Sequence, residues 1–199
     1  MIVPTVIIGG MDPTKSMEPF KDLKSYRREE TPMKPVIYLA GSIRDSVSED
    51  IEWRERAVEA LRRYATVLNP LAGKRYNPET GAWTLYDGEV PDAKYIVQAD
   101  FWAVDRSDII LFDFRSLGVN GYLSLGTMTE FGRSTARSVL RLGIIEPGFI
   151  GHENKRHFPG LHPFIEQNCA KMFPGPDAAV EFARSYVASV TRSPQYRWD

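Results

Sequence analysis

The stretch SLGTMTEFGRS, Ser124 to Ser134, sets one carboxylate, Glu130, three residues behind a Gly126-Thr127 pair. Two chemistries fit that spacing. Thr127-x-x-Glu130 is the pattern of a capping box, in which hydroxyl and carboxylate satisfy the free N–H groups of a starting helix. The same spacing leaves a carboxylate at a helix mouth, held ionised by the dipole and aimed at a ligand. Gly126 and Thr127 then leave room for that ligand beside N–H groups that attract anions. Met128 and Phe131 read as core or pocket wall.

Two further segments carry groups of the same kind. In YLAGSIRD, Gly41 permits a tight turn and close backbone approach, while Ser42 and Arg44 offer donors suited to phosphate or sugar oxygens. The same run also serves as a plain strand-to-helix turn. It is not G-x-G-x-x-G, so no dinucleotide cofactor is indicated. Tyr38, on the preceding strand, either hydrogen-bonds the Glu130 carboxylate or packs with its hydroxyl at the rim. In QADFWAVDRSD, Asp100 shares a helix face with Val104 and so lies near an apolar stripe. A surface position suits Asp100 equally well, and Asp105 and Asp108 read as solvated charges near the helix end. His152, His157 and His162 recur every five residues around Pro159 and Gly160, which indicates a loop. No cysteine or carboxylate cluster completes a standard metal site with them, so no metal is expected, and a lid or subunit-contact loop fits better.

The elements that must position these groups alternate in type. Val36 to Ala40 is an apolar run closed by Gly41, the pattern of a buried strand feeding a turn. Ser46-x-x-Glu49 offers a helix cap, with Trp53, Ala57, Leu61 and Tyr64 at helical spacing behind it. ATVLNP is a second short strand. Residues 70–90 read as a long Gly/Pro/Asn-rich connection, of the length that is usually functional or mobile. Pro91 suits the first turn of a helix reaching about Ser107. DIILFDF is the clearest buried strand; a helix over about 127–138, the strand SVLRLGII, a short strand at CAKMF and a helix at PDAAVEFARSYVASV follow. Strands alternating with helices predict an α/β fold: an open, doubly wound parallel sheet of flavodoxin-like or Rossmann-like type, about five strands, with helices on both faces. Ligands bind such sheets beyond the carboxyl ends of the strands, where strand order reverses. That places Gly41 to Arg44 and Ser124 to Glu130 over one crevice. Residues 1–33, polar and proline-punctuated, read as an N-terminal extension, and 34–199 as the domain.

Bulk properties narrow the partners. A net charge of -1 gives no global field for a nucleic acid polymer or an anionic membrane. No apolar run approaches a membrane span, and the opening MIVPTVIIGG has no basic region before its apolar run, so no signal peptide is expected. Cys169 is the only cysteine, which excludes an intramolecular disulfide and fits a reducing cytoplasm.

Together the three segments, in this order, resemble the nucleoside 2-deoxyribosyltransferase superfamily, which includes the deoxynucleoside 5'-monophosphate N-glycosidases. The resemblance runs from about Val36 to Ile145 and more weakly to the final helix. YLAGSIR resembles the first-strand motif of the nucleotide hydrolases, Asp100-x7-Asp108 the helix-then-strand signature, and SLGTMTEFG the segment with the catalytic glutamate. The resemblance implies that Glu130 attacks C1' of a 2-deoxyribose, that Tyr38 orients it, and that Asp100 helps protonate the leaving base. Gly41, Ser42, Arg44, Ser124, Gly126 and Thr127 would contact the substrate. Ser124 stands where transferases of free nucleosides often carry Asp, which implies tolerance of a 5'-phosphate. A deoxynucleoside or deoxynucleotide substrate, no cofactor, and a homo-oligomer with sites near subunit interfaces are implied likewise. The Gly-Thr-x-x-Glu spacing also resembles nucleotide-binding Rossmann-like modules, which leaves a binding or sensing protein without turnover as the alternative.

Overall fold

The computed structural model describes residues 33–43, 48–77, 79–86, 88–118, 124–145 and 163–191. Five parallel strands form the main sheet: β1 (Val36–Gly41), β2 (Thr66–Leu68), β5 (Ile109–Asp113), β6 (Leu140–Ile144) and β7 (Lys171–Phe173). Their order is β2-β1-β5-β6-β7. This is the flavodoxin-like arrangement, an open parallel α/β sheet whose connections reverse direction between β1 and β5.

Alternation along β1 explains the two layers. Ile37 and Leu39 face α1 (Ser48–Leu61) and α5 (Pro176–Thr191), in a core with Trp53, Ala57, Leu61 and Val187. Tyr38 and Ala40 face the other way, toward α2 (Ala93–Arg106), α3 (Leu125–Thr135) and α4 (Pro163–Asn168), with Val104, Phe112, Phe131 and Ile165. Both faces are covered, so β5 is buried along its whole length and reads as one apolar run. Among the described residues no helix is long and apolar enough to cross a membrane.

Polar ties fix the amino-terminal edge of the sheet. Asp108 is not a solvated helix-end charge: its Oδ2 accepts the Val36 N–H at 2.7 Å, pinning the start of β1 to the entry of β5. Arg141 on β6 donates to the carbonyls of Ser134 at 2.8 Å and Asn168 at 2.6 Å, where α3 and α4 end and leave carbonyls unpaired.

The 70–90 segment departs from the sequence expectation. It contains an antiparallel hairpin, β3 (Lys74–Asn77) with β4 (Ala82–Leu85), outside the main sheet. Its turn is built by Asn77, whose Oδ1 accepts the Glu79 N–H at 2.9 Å, and by Gly81 at φ +67°. The strands are four residues long and half polar, too short for a clear alternating signal. The helix read at 127–138 begins earlier, at Leu125, for a reason given below.

At the other edge, β1 ends on Gly41, paired in register with Asp113 of β5. Gly41 has φ +151°, and a Cβ there would lie 2.6 Å from the Asp113 Cβ. Both the conformation and the space demand glycine. Gly41→Ala is therefore expected to lower unfolding stability by about 2–4 kcal/mol. Urea denaturation measures it, and a loss near zero would show that the β1 terminus is not so constrained.

Candidate active site

The placement of Glu130 starts with α3. Its N-cap is Ser124, whose Oγ accepts the Thr127 N–H at 3.3 Å. Thr127, Glu130, Phe131 and Ser134 make up its buried face, at i, i+3, i+4 and i+7. Phe131 sets the rotation of that face: it packs edge-on against Phe112 at 5.1 Å and Phe114 at 5.5 Å. Glu130, one residue earlier, is thereby turned toward the sheet. The capping box is not formed. Ser124 holds the cap, and Glu130 lies in the second turn with another partner.

That partner is Tyr38. Its hydroxyl donates to Glu130 Oε1 at 2.6 Å, across 92 residues of sequence. Tyr38 is 1% exposed and Glu130 7%. Thr127, one turn before Glu130 on the same face, is also buried, and its Oγ1 has no hydrogen-bond partner among the described residues. Of the two readings open for Tyr38, the hydrogen bond is the one observed.

Burial dominates the electrostatics. It pushes the Glu130 carboxyl up to about 7, against the Tyr38 hydrogen bond, with the Asp100 charge adding to the rise and Arg54 opposing it. Asp100 on α2 is partly buried, not a plain surface charge. Its carboxyl is also raised by burial, with Lys74, Tyr38 and Arg54 each favouring the charged form. Burial, and then the charges of Glu130 and Asp100, hold the Tyr38 phenol far above its ordinary value, so it remains a neutral donor. Two carboxyls and a phenol thus form one coupled group at the reversal of the sheet.

Arg54 is the residue that sequence reasoning missed. It lies in the interior at 0% exposure and takes its partners from main-chain carbonyls. Nη2 donates to Gly41 at 2.9 Å, Nε to Leu39 at 3.3 Å, both Nη atoms to Ser42 at 3.4 Å, and Nη1 to Asp50 as well. A signal existed, since Asp50, Arg54, Ala57 and Leu61 fall on one helical stripe. Asp113 was likewise overlooked. It ends β5, is buried, and is gripped by Arg115 through Nε at 2.9 Å and Nη2 at 2.8 Å.

The other expected site residues divide. Gly41 and the buried Ser42 lie at the end of β1, and Ser124 and Gly126 at the mouth of α3. Asp105 forms an exposed ion pair with Arg133. Arg44 and the loop with His152, His157 and His162 lie outside the described residues. Among the described residues, no group of three or more His, Cys, Asp or Glu side chains could hold a metal ion.

The raised Glu130 carboxyl carries a stability consequence. The folded protein retains a proton that the unfolded chain releases near pH 4.5, so stability falls as pH rises toward about 7. Glu130→Gln keeps an acceptor for Tyr38 and removes the charge. It is expected to match the wild type at pH 5 and to exceed it by about 1–3 kcal/mol at pH 8. Urea unfolding at the two pH values measures this, and a variant that is weaker at pH 8 would contradict the burial argument.

No family model matches the chain, and no curated protein matches it in sequence. Among solved structures, a conserved protein from Enterococcus faecalis V583 is similar, with a TM-score of 0.54 at 16% identity over 77% of this chain and 99% of that one. The CMP N-glycosidase BcmB of Clostridium botulinum gives 0.46 at 13% identity over 76% and 99%. The molybdenum cofactor binding protein of the phototrophic bacterium Rippkaea orientalis gives 0.47 at 14% identity over 77% and 98%. The likeness to the Enterococcus faecalis protein is one of fold.

Proposed function

We propose that the protein breaks the N-glycosidic bond of 2'-deoxyribonucleosides or their 5'-monophosphates through a covalent glycosyl ester on Glu130, and passes the 2-deoxyribosyl group to another base or to water. The observation that carries this reading is the buried Tyr38–Glu130 hydrogen bond, 2.6 Å long, at the reversal of a parallel sheet. A carboxyl held there has little to do for stability. Burial disfavours its charge, and α3 is capped without it.

The chemistry follows from the environments. Departure of a base from a deoxyribose builds positive charge on the sugar, which an adjacent carboxylate stabilises and then captures at C1'. The bond to the base breaks as the ester to Glu130 forms. The base leaves with a proton supplied by Asp100, the second carboxyl of the group, whose affinity for a proton burial raises. Water or a second base then attacks C1', gives its proton to Asp100, and releases Glu130 as carboxylate. Tyr38 holds the attacking oxygen in place and stays neutral throughout. Gly41 and Ser42 on one side, with Ser124, Gly126 and Thr127 on the other, take the sugar and its 5' end, and Arg44 is a further substrate contact in the same reading. Assembly into a homo-oligomer whose subunit interfaces complete the sites belongs to the same reading.

Incubation with deoxynucleosides and their monophosphates, with and without a second free base, followed by chromatography of the products, tests this. Base release is expected to fall by about 10³-fold or more in Glu130→Ala. The nucleophile must be ionised, so wild-type activity is expected to rise as pH passes through about 7. Equal base release by wild type and Glu130→Ala would overturn the proposal. Tight nucleotide binding with no base release would favour a binding module in its place.

A further inference from the structure

The proposed chemistry makes opposed demands on Glu130. It lies on the core face of α3, where burial favours the neutral acid, yet it must attack as a carboxylate. The groups that act on it come from three other elements. Tyr38 of β1 donates a hydrogen bond, Asp100 of α2 adds a like charge, and Arg54 of α1 supplies positive charge. Asp105, a further carboxylate of α2, is exposed and paired with Arg133 and Arg137.

Arg54 reaches this group from the opposite layer. Its helix packs on the Ile37 and Leu39 side of β1, whereas Tyr38 and α3 occupy the other side. The guanidinium comes in at the carboxyl end of the strand, where Gly41 leaves it room: a Cβ there would stand 3.1 Å from Nη2. Its hydrogen bonds go to the carbonyl oxygens of Leu39, Gly41, Ser42 and Asp50. Neutral carbonyls fix a cation without cancelling its charge. Asp113 and Asp50 offset part of that charge. Asp113, however, is shared with Arg115, which grips it through two side-chain hydrogen bonds. The Leu39 carbonyl belongs to the residue next to Tyr38, so the same fork holds the strand behind the hydroxyl that meets Glu130.

We propose that Arg54 is a positioning residue for the reaction: its donor fork fixes the strand that carries Tyr38, and its charge keeps Glu130 available as the attacking carboxylate. It acts through those two residues rather than on the substrate. The role rests on the reading of Glu130 as nucleophile, but the ionisation that Arg54 governs is measurable without turnover. Removing a nearby cation disfavours the carboxylate, so the titration of Glu130 must then move to higher pH. A guanidinium suits the position because it keeps its proton in a buried site where an ammonium readily loses one.

The test follows the Glu130 carboxyl by NMR in the full chain labelled at its glutamate carboxyls, the signal being the one absent from Glu130→Gln. Wild type is expected to titrate at about 7. Arg54→Gln and Arg54→Met, each checked for folding by circular dichroism, are expected to raise that midpoint by about one pH unit or more. Leu61→Ala loosens the core packing of the same helix and leaves every charge, so its midpoint is expected to stay with the wild type. In parallel, base release from deoxynucleoside 5'-monophosphates by the Arg54 variants is expected to fall about tenfold or more at pH 6, with most of the loss recovered at pH 9. An unmoved midpoint in both Arg54 variants, an equal shift in Leu61→Ala, or a loss of base release that is the same at both pH values would overturn the proposal. A wild type that releases no base while the midpoint shifts as expected would refute the reaction and uphold the action of Arg54 on Glu130.

Discussion

The carboxyl-terminal end of β1 is held by a single guanidinium. A strand that stops at the edge of a parallel sheet leaves its last carbonyls beyond the ladder, and in the interior each needs a donor. Arg54 reaches from α1 with a planar fork of five N–H groups and satisfies Leu39, Gly41 and Ser42 together, along with the Asp50 carbonyl of its own helix. A lysine has neither the reach nor the geometry. Burial lowers the affinity of Arg54 for its proton, and the charges of Asp113, Asp50 and Glu130 offset that. Because the main chain of Gly41 and Ser42 is fixed in this way, the Tyr38 ring on the same strand is fixed as well.

The same cation links the structural network to the candidate chemistry. Arg54 favours the charged forms of Glu130 and Asp100, while burial favours the neutral ones. The balance leaves Glu130 near neutrality, where a modest change in surroundings moves it between acid and carboxylate. Two carboxyls of unequal burial beside one neutral phenol are the arrangement that lets similar groups take different proton-transfer roles. The cost falls on the folded state, which must bury a carboxyl on the core face of α3. The Phe112–Phe114–Phe131 cluster offsets that cost by anchoring the helix immediately next to it.

What was legible in the sequence followed the reach of each interaction. The apolar run of β5, the strand-turn at Gly41 and the amphipathic α5 are local patterns, and they occur where the periodicity placed them. The N-terminus of α3 was not legible, because Ser124 and Thr127 are both good cap residues and only Thr127 is followed by a Glu three positions on. Phe131 packing and a tyrosine 92 residues away decide between them. Asp108 reads as a helix-end charge until β1 is laid beside it and offers the Val36 N–H. Arg54 was visible as a charge on an apolar stripe, but its carbonyl partners come from the strand before it. The hairpin was hidden by strands too short and too polar to alternate clearly.

The hairpin also shows how such a sheet acquires new surface without disturbing its frame. It enters after β2, an edge strand of three residues, and returns to α2, so none of the ladder between β1, β5 and β6 is interrupted. Its side chains nevertheless reach the centre of the molecule electrostatically, since Lys74 acts on Asp100 of the following helix. Insertions at the carboxyl edge of a parallel sheet fall where ligands bind. The hairpin adds aromatic and cationic side chains at this point, while the Arg54-bound strand end continues to hold β1 in place.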